Sequence, residues 1–269
     1  MPADTIVDRT IGAGWLLSQM DLAGGNRAYK YVGGRAVTVG LEAMEFKAPV
    51  YIGDDVTIFT EIIKEGTSSV AIRVEAYAAS RIGENPRKVT EGTFTFVHID
   101  ENGKSKPLNE QKTKEKSKDK SKSKAKKVRA SKTEVLEHEP KLESGQELSL
   151  RTVPFPRDKN SNGDIFGGWV LAQMDTAAAL RVRKLVGGEA VSVAIEAMTF
   201  HRPVSELNEV SFYTKIEKIG NSSVSINVEA WALREDLRKY EKVTEGTFTY
   251  VALDKDRKPV PVNINNPEP

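Results

Sequence analysis

The sequence predicts an α+β protein of two similar domains, each an antiparallel sheet curled round one buried helix. Three observations carry this. First, the chain repeats itself. Trp15-Leu16-Leu17-Ser18-Gln19-Met20-Asp21 returns 154 positions later as Trp169 to Asp175, and the same offset aligns Val32-Gly33-Gly34, Glu42-Ala43-Met44, Ser68-Ser69-Val70 and Thr90 to Thr95 with later copies. About half the positions from Gly14 to Val97 are identical without a gap, which marks the duplication of a unit near the usual domain size of roughly 110 residues. Second, residues 169–180 are apolar on nearly every side, the pattern of a buried helix rather than a surface one. Third, four strand-like stretches follow each helix, with short turns between them. Short turns join antiparallel neighbours, and such a sheet must bury its apolar face on the helix.

Taken in order, repeat one opens abruptly. Nothing before Met1 matches the alternating segment 147–153 that introduces repeat two, so repeat one is expected to lack its first strand. A loop, Asp8-Arg9-Thr10-Ile11-Gly12-Ala13-Gly14, leads into the first helix, and Gly33-Gly34 stops it. Strands are expected over 36–49, 56–64, 68–79 and 88–99. In the third, Val70, Ile72, Val74 and Ala76 share one face while Arg73 and Glu75 share the other, so one face is wet. Residues 1–108 form this domain. Residues 109–146 are rich in Lys, Ser and Glu with few aliphatics, which cannot offset the entropy of ordering, and they read as a disordered linker. Residues 147–262 form the second domain, with strands over 190–203, 210–218, 222–233 and 242–253, and 263–269 form a tail.

Composition narrows the function. Between Asn102 and Glu143 there are 14 Lys/Arg against 7 Asp/Glu, which leaves 26 against 31 elsewhere, so the basic character belongs to the connector. No aromatics interleave with its lysines, and nucleic acid is not expected as a partner. No apolar run reaches the ~18 residues of a membrane span. Met1 to Thr5 lacks the regions of a signal peptide, and a cytoplasmic location is expected. There is no cysteine, and His98, His138 and His201 stand far apart, so no metal site is expected.

The candidate chemistry gathers at the loop Asn162-Gly163-Asp164-Ile165-Phe166-Gly167-Gly168 and the helix it feeds. Gly167 and Gly168 expose N–H groups at the positive end of a helix dipole. Asp175, and Asp21 in repeat one, place carboxylates on buried helices, where an unpaired charge is costly. Trp15 and Trp169 read as core, and Gln19 and Gln173 as hydrogen-bonding across paired helices.

The run Asn162-Gly163-x-Ile165-Phe166-Gly167-Gly168-Trp169, followed by Met174-Asp175, resembles the acyl-CoA thioesterases of the hotdog fold. Gln19-Met20-Asp21-Leu22-Ala23-Gly24-Gly25 is close to the same pattern, and the tandem layout is similar to the double-hotdog cytosolic acyl-CoA hydrolases. The resemblance implies two hotdogs paired side by side as a pseudo-dimer, with each site joining the loop of one to the helix carboxylate of the other, and the two sheets are expected to join edge to edge. Asn162, Gly167 and Gly168 would then meet Asp21. The altered loop, with Asp8 for Asn162, Gly12 for Phe166 and Ala13 for Gly167, would meet Asp175, so one working site per chain is expected. The Gly167 and Gly168 N–H groups would serve a developing oxyanion, Asn162 would position the carbonyl or the water, and Asp21 would act as base or nucleophile. Ser68, Ser69, Ser222 and Ser223, which follow turns, are candidates for the phosphates of coenzyme A or plain strand-start serines. The substrate would be fatty acyl-CoA with no separate cofactor, and the assembly a homotrimer of double hotdogs. A non-catalytic acyl-CoA binder or scaffold is the alternative. A hotdog dehydratase or hydratase would need a histidine near the helix, and neither repeat has one.

Overall fold

The computed structural model describes residues 5–6, 10–80, 85–108, 135–160, 165–206, 208–234 and 239–262. In the first half a two-residue hairpin, β1 (Thr5–Ile6) and β2 (Thr10–Ile11), precedes α1 (Ala13–Val32). Then come β3 (Ala36–Leu41), β4 (Met44–Glu45), β5 (Asp55–Glu65), β6 (Ser69–Ala79) and β7 (Arg87–His98). The second half begins with β8 (Val135–Leu136) and β9 (Gln146–Thr152). It continues through α2 (Gly167–Val186), β10 (Glu189–Ile195), β11 (Met198–Thr199), β12 (Glu209–Ile219), β13 (Ser223–Arg234) and β14 (Lys239–Leu253).

Both helices end as the glycine pairs predict. Gly33 and Gly187 take left-handed φ of 68° and 60°, and their N–H groups bond back to Tyr29 and Arg183. Each sheet wraps its helix with one face inward. Val70, Ile72, Val74 and Ala76 are buried, whereas Arg73 on the other face is exposed. One buried cluster runs through both halves, with Leu17, Met20, Leu171 and Met174 from the helices against Phe94, Phe96, Phe248 and Tyr250 from the sheets.

The halves are joined edge to edge through two short bridging strands. The sheet orders are β11-β3-β7-β6-β5 and β4-β10-β14-β13-β12-β9, so β4 of the first half lies in the second sheet and β11 of the second lies in the first. Ile195 pairs with Met44, and Met198 with Leu41, all antiparallel. This is why the single strands expected over 36–49 and 190–203 are each broken. After Leu41 and after Ile195 the strand is interrupted yet keeps its own sheet on one side, where the Glu42 and Lys47 N–H groups bond to Thr93 O and Val89 O and those of Glu196 and His201 bond to Thr247 O and Val243 O. On the other side the Phe46 N–H bonds to Val193 O at 2.9 Å.

The halves differ at their far edges. β9 borders β12, and Tyr213 beneath it is 2% exposed. Among the described residues no strand borders the outer edge of β5, where Phe59, the counterpart of Tyr213, is 56% exposed. Two expectations need correction. The linker reading ran to residue 146, but its last twelve residues are placed on the second domain. β8 pairs with β14 at Tyr240 and Glu241, Glu139 accepts from Arg151 and Tyr213, and Glu143 accepts from Lys215 at 2.7 Å. Scattered Val135, Leu136 and paired carboxylates suffice for an edge segment, although they make no periodic pattern. Residues 109–134 of the linker reading, and the tail, lie outside the described residues. Gln19 donates to Ser18 Oγ of its own helix at 3.3 Å, rather than across the helix pair.

Candidate active site

The two helices cross where glycines allow it. A Cβ on Gly168 would stand 2.8 Å from the Cα of Ser18, and one on Gly14 would stand 3.0 Å from the Cα of Ala172. These contacts are related by the repeat. Each brings the N-terminus of one helix against the buried aspartate of the other. The Gly168 N–H donates to Asp21 Oδ2 at 2.7 Å, and the Gly14 N–H donates to Asp175 Oδ2 at 2.8 Å. Asp21 and Asp175 are 2% and 4% exposed. The structure thus sets Gly167 and Gly168 with Asp21, and the altered loop with Asp175. Asn162 and Asp8 lie outside the described residues.

The remaining oxygen of each carboxylate separates the two sites. Asp21 Oδ1 accepts from the Thr38 hydroxyl at 2.7 Å. Asp175 Oδ1 accepts instead from the Tyr250 hydroxyl at 2.6 Å, and the same hydroxyl lies 2.8 Å from the Asp175 carbonyl oxygen. The counterpart of Tyr250 in the first half is Phe96, which has no hydroxyl. Burial pushes the Asp21 carboxyl up to about 6, against the opposing pull of its bonds from Thr38 and Gly168. Burial also raises Asp175, partly offset by Tyr250 and Gly14, and the same burial beside Asp175 lifts the Tyr250 phenol well above its ordinary value.

A cavity of about 250 Å³ opens at Asp21, walled by Val37, Thr38 and Phe96 of the first half and by Ile165, Phe166, Gly167 and Val170 of the second. His201 and Arg202 stand on one of its walls. The matching cavity at Asp175 is about 70 Å³, with Tyr250 among its walls.

Such a site can activate water or attack an acyl carbon. At neutral pH a carboxyl near 6 is largely ionised, yet its burial makes it a stronger base than an exposed carboxylate. Sequence reasoning gave both Gly167 and Gly168 to the oxyanion, but the Gly168 N–H is engaged by the carboxylate. Gly167, the first residue of α2, has no acceptor for its N–H inside the helix and lines the cavity. The four serines are not brought to the site. They close the β5–β6 and β12–β13 hairpins, where carbonyls of Ser68, Ser69, Ser222 and Ser223 accept from His98, Gly66, Ala252 and Gly220, and none lines either cavity. Thr38 and Tyr250 were missed. Their signal was the repeat alignment, where Thr38 faces Ser192 and Phe96 faces Tyr250. Trp169 is buried and Trp15 packs against the core, as read.

Comparison with known proteins gives a family. The thioesterase superfamily matches residues 10–83 and 162–238, more than half of the chain. The acyl-CoA thioester hydrolase YciA of Salmonella typhimurium is 44% identical over 121 residues, which is 44% of this chain and 91% of that protein. Its Escherichia coli K12 relative is 43% identical over 116 residues, 42% of this chain and 88% of that one. Among solved structures, a hexameric thioesterase of Yersinia pestis is similar at 41% identity and a TM-score of 0.42, covering 44% of this chain and 96% of that chain. An acyl-CoA hydrolase of Agrobacterium tumefaciens is similar at 26% identity and a TM-score of 0.40, covering 93% of this chain and 89% of that one.

Proposed function

We infer that this chain, which belongs to the thioesterase superfamily and has the double-hotdog fold, hydrolyses acyl-CoA to free acid and coenzyme A. Its relatives are acyl-CoA thioester hydrolases, and the cavity at Asp21 has the groups that reaction needs. Asp21 takes the proton of water, or attacks the thioester carbon itself. Thr38 and the Gly168 N–H fix the carboxylate, and the Gly167 N–H receives the charge that develops on the carbonyl oxygen. Asn162 positions the carbonyl or the water. Catalysis runs at one site per chain, and the observation that carries this is the Tyr250 hydroxyl on Asp175, which occupies the oxygen that Thr38 alone holds in the other half.

Turnover is read by thiol release, and a chain without cysteine gives that assay no background. Asp21→Asn and Asn162→Ala should each remove most turnover, about 10²–10⁴ for a general base, while Asp175→Asn keeps most of it. If Asp175→Asn were the damaging change and Asp21→Asn the mild one, the assignment of the working site would fall. Loss of all activity on a metal chelator would overturn the reading that no cofactor takes part. No helix among the described residues is long and apolar enough to cross a membrane. A cytoplasmic setting and a homotrimer, holding six hotdog units, complete the proposal. Light scattering at about three times the chain's 29.7 kDa checks the assembly.

A further inference from the structure

The repeat allows the two cavities to be compared wall by wall. Val191, Val50 and Val89 of the small cavity are the counterparts of Val37, Val204 and Val243 of the large one. The large cavity then continues along α1 past Leu22, Gly25 and Asn26, whereas the small one meets α2 only at Asp175 among the described residues. Opposite this extra arm, Phe96 replaces Tyr250, and along it Gly25 and Asn26 replace Ala179 and Leu180.

Glycine inside a helix is the least favourable choice short of proline, yet Gly24 and Gly25 stand side by side within α1. Packing explains Gly24, since a Cβ there would lie 2.9 Å from Phe96 Cζ and 3.3 Å from Val74 Cγ2. It does not explain Gly25. A Cβ at Gly25 would lie 3.6 Å from Phe96 Cε1, an ordinary contact, and the residue's φ is not positive. What that Cβ would displace is cavity.

We propose that the arm between Gly25 and Phe96 is the acyl chamber, and that Gly25 sets the longest chain it takes. The proposal rests on the acyl-CoA hydrolase reading above. Gly25 lies one helical turn beyond Asp21 on the same face, so a tail leaving a carbonyl at Asp21 runs along α1. Leu22, Val37, Phe96 and Ile99 offer this tail apolar walls, and the exposed Asn26 and Tyr29 line the cavity further along α1. The exposed Arg202 stands on the wall contributed by the second half, where it suits the anionic coenzyme.

The test measures kcat/KM for a saturated series from acetyl- to dodecanoyl-CoA with the wild-type chain, Gly25→Ala and Gly25→Leu. Because alanine favours the helix and meets no clash, Gly25→Ala should melt no lower than the wild type. The ratio of octanoyl- to acetyl-CoA should fall in both variants, and in Gly25→Leu by at least about tenfold, since one methylene in an apolar pocket already shifts discrimination by about 10–200-fold. An equal loss on every chain length would show that the arm carries the pantetheine, and a profile parallel to the wild type's with no loss would show that it carries nothing; either overturns the chamber while leaving the hydrolase reading intact. A wild-type chain inert on the whole series would overturn both.

Discussion

Because burial holds the Asp21 carboxyl at about 6, kcat/KM should climb with pH through that value and level off above it. Thr38→Val removes the hydroxyl that favours the ionised form, so the rising limb should move to higher pH. The same shift enters stability. Asp21 binds its proton more tightly in the folded chain than unfolded, so its contribution favours folding at low pH and is lost as pH rises from the ordinary 3.8 through about 6. That interval, at ~1.4 kcal/mol per pKa unit, is worth roughly 3 kcal/mol. The Tm of Asp21→Asn relative to the wild type should therefore move upward between pH 4 and pH 8, and a gap that stays constant would contradict the raised carboxyl. At this scale the sequence showed which aspartates are buried, because they sit in apolar helices. It did not show which hydroxyl each would meet. Thr38 and Tyr250 lie on strands, and their facing depends on registers that only the assembled sheet fixes.

Between elements, α1 and α2 meet at two glycines. Gly168→Ala drives a Cβ into backbone at Ser18 and against Asp21 Cβ at 2.9 Å, so it should lower Tm by several degrees and cut turnover by at least about 10²-fold through displacement of the carboxylate. Gly14→Ala meets Ala172 and the Asp175 side chain instead. It should lower Tm comparably but spare much more of the turnover, a contrast that paired melting and rate measurements would read. The elements themselves were largely legible. Alternation placed β6 and β13 within a residue or two, and Gly33 and Gly187 marked both helix ends. The breaks after Leu41 and Ile195 were not legible, because a strand that bridges two sheets keeps its apolar alternation. β8 was hidden by two apolar residues in a polar run.

For the whole molecule, the bridging strands β4 and β11 and the continuous core tie both halves into one cooperative unit. Calorimetry should give a single transition with matching calorimetric and van't Hoff enthalpies; two resolved transitions would mean that the halves melt separately. The duplication was plain in the sequence, and the resemblance implied the pairing. The edge-to-edge joining was expected too and is what the β4–β10 and β3–β11 pairs make; only the short strands that carry it were not legible. A symmetric dimer of identical hotdogs carries every substitution twice, so its two sites must change in step. In this polypeptide they need not. Tyr250 can close one pocket while Phe96 and Gly25 widen the other, and a change that would ruin both centres of a symmetric pair costs this chain at most one. With β4 and β11 each bonded to both sheets of one polypeptide, the two unequal pockets are inherited together, and a division of labour between them stays within the chain that acquired it.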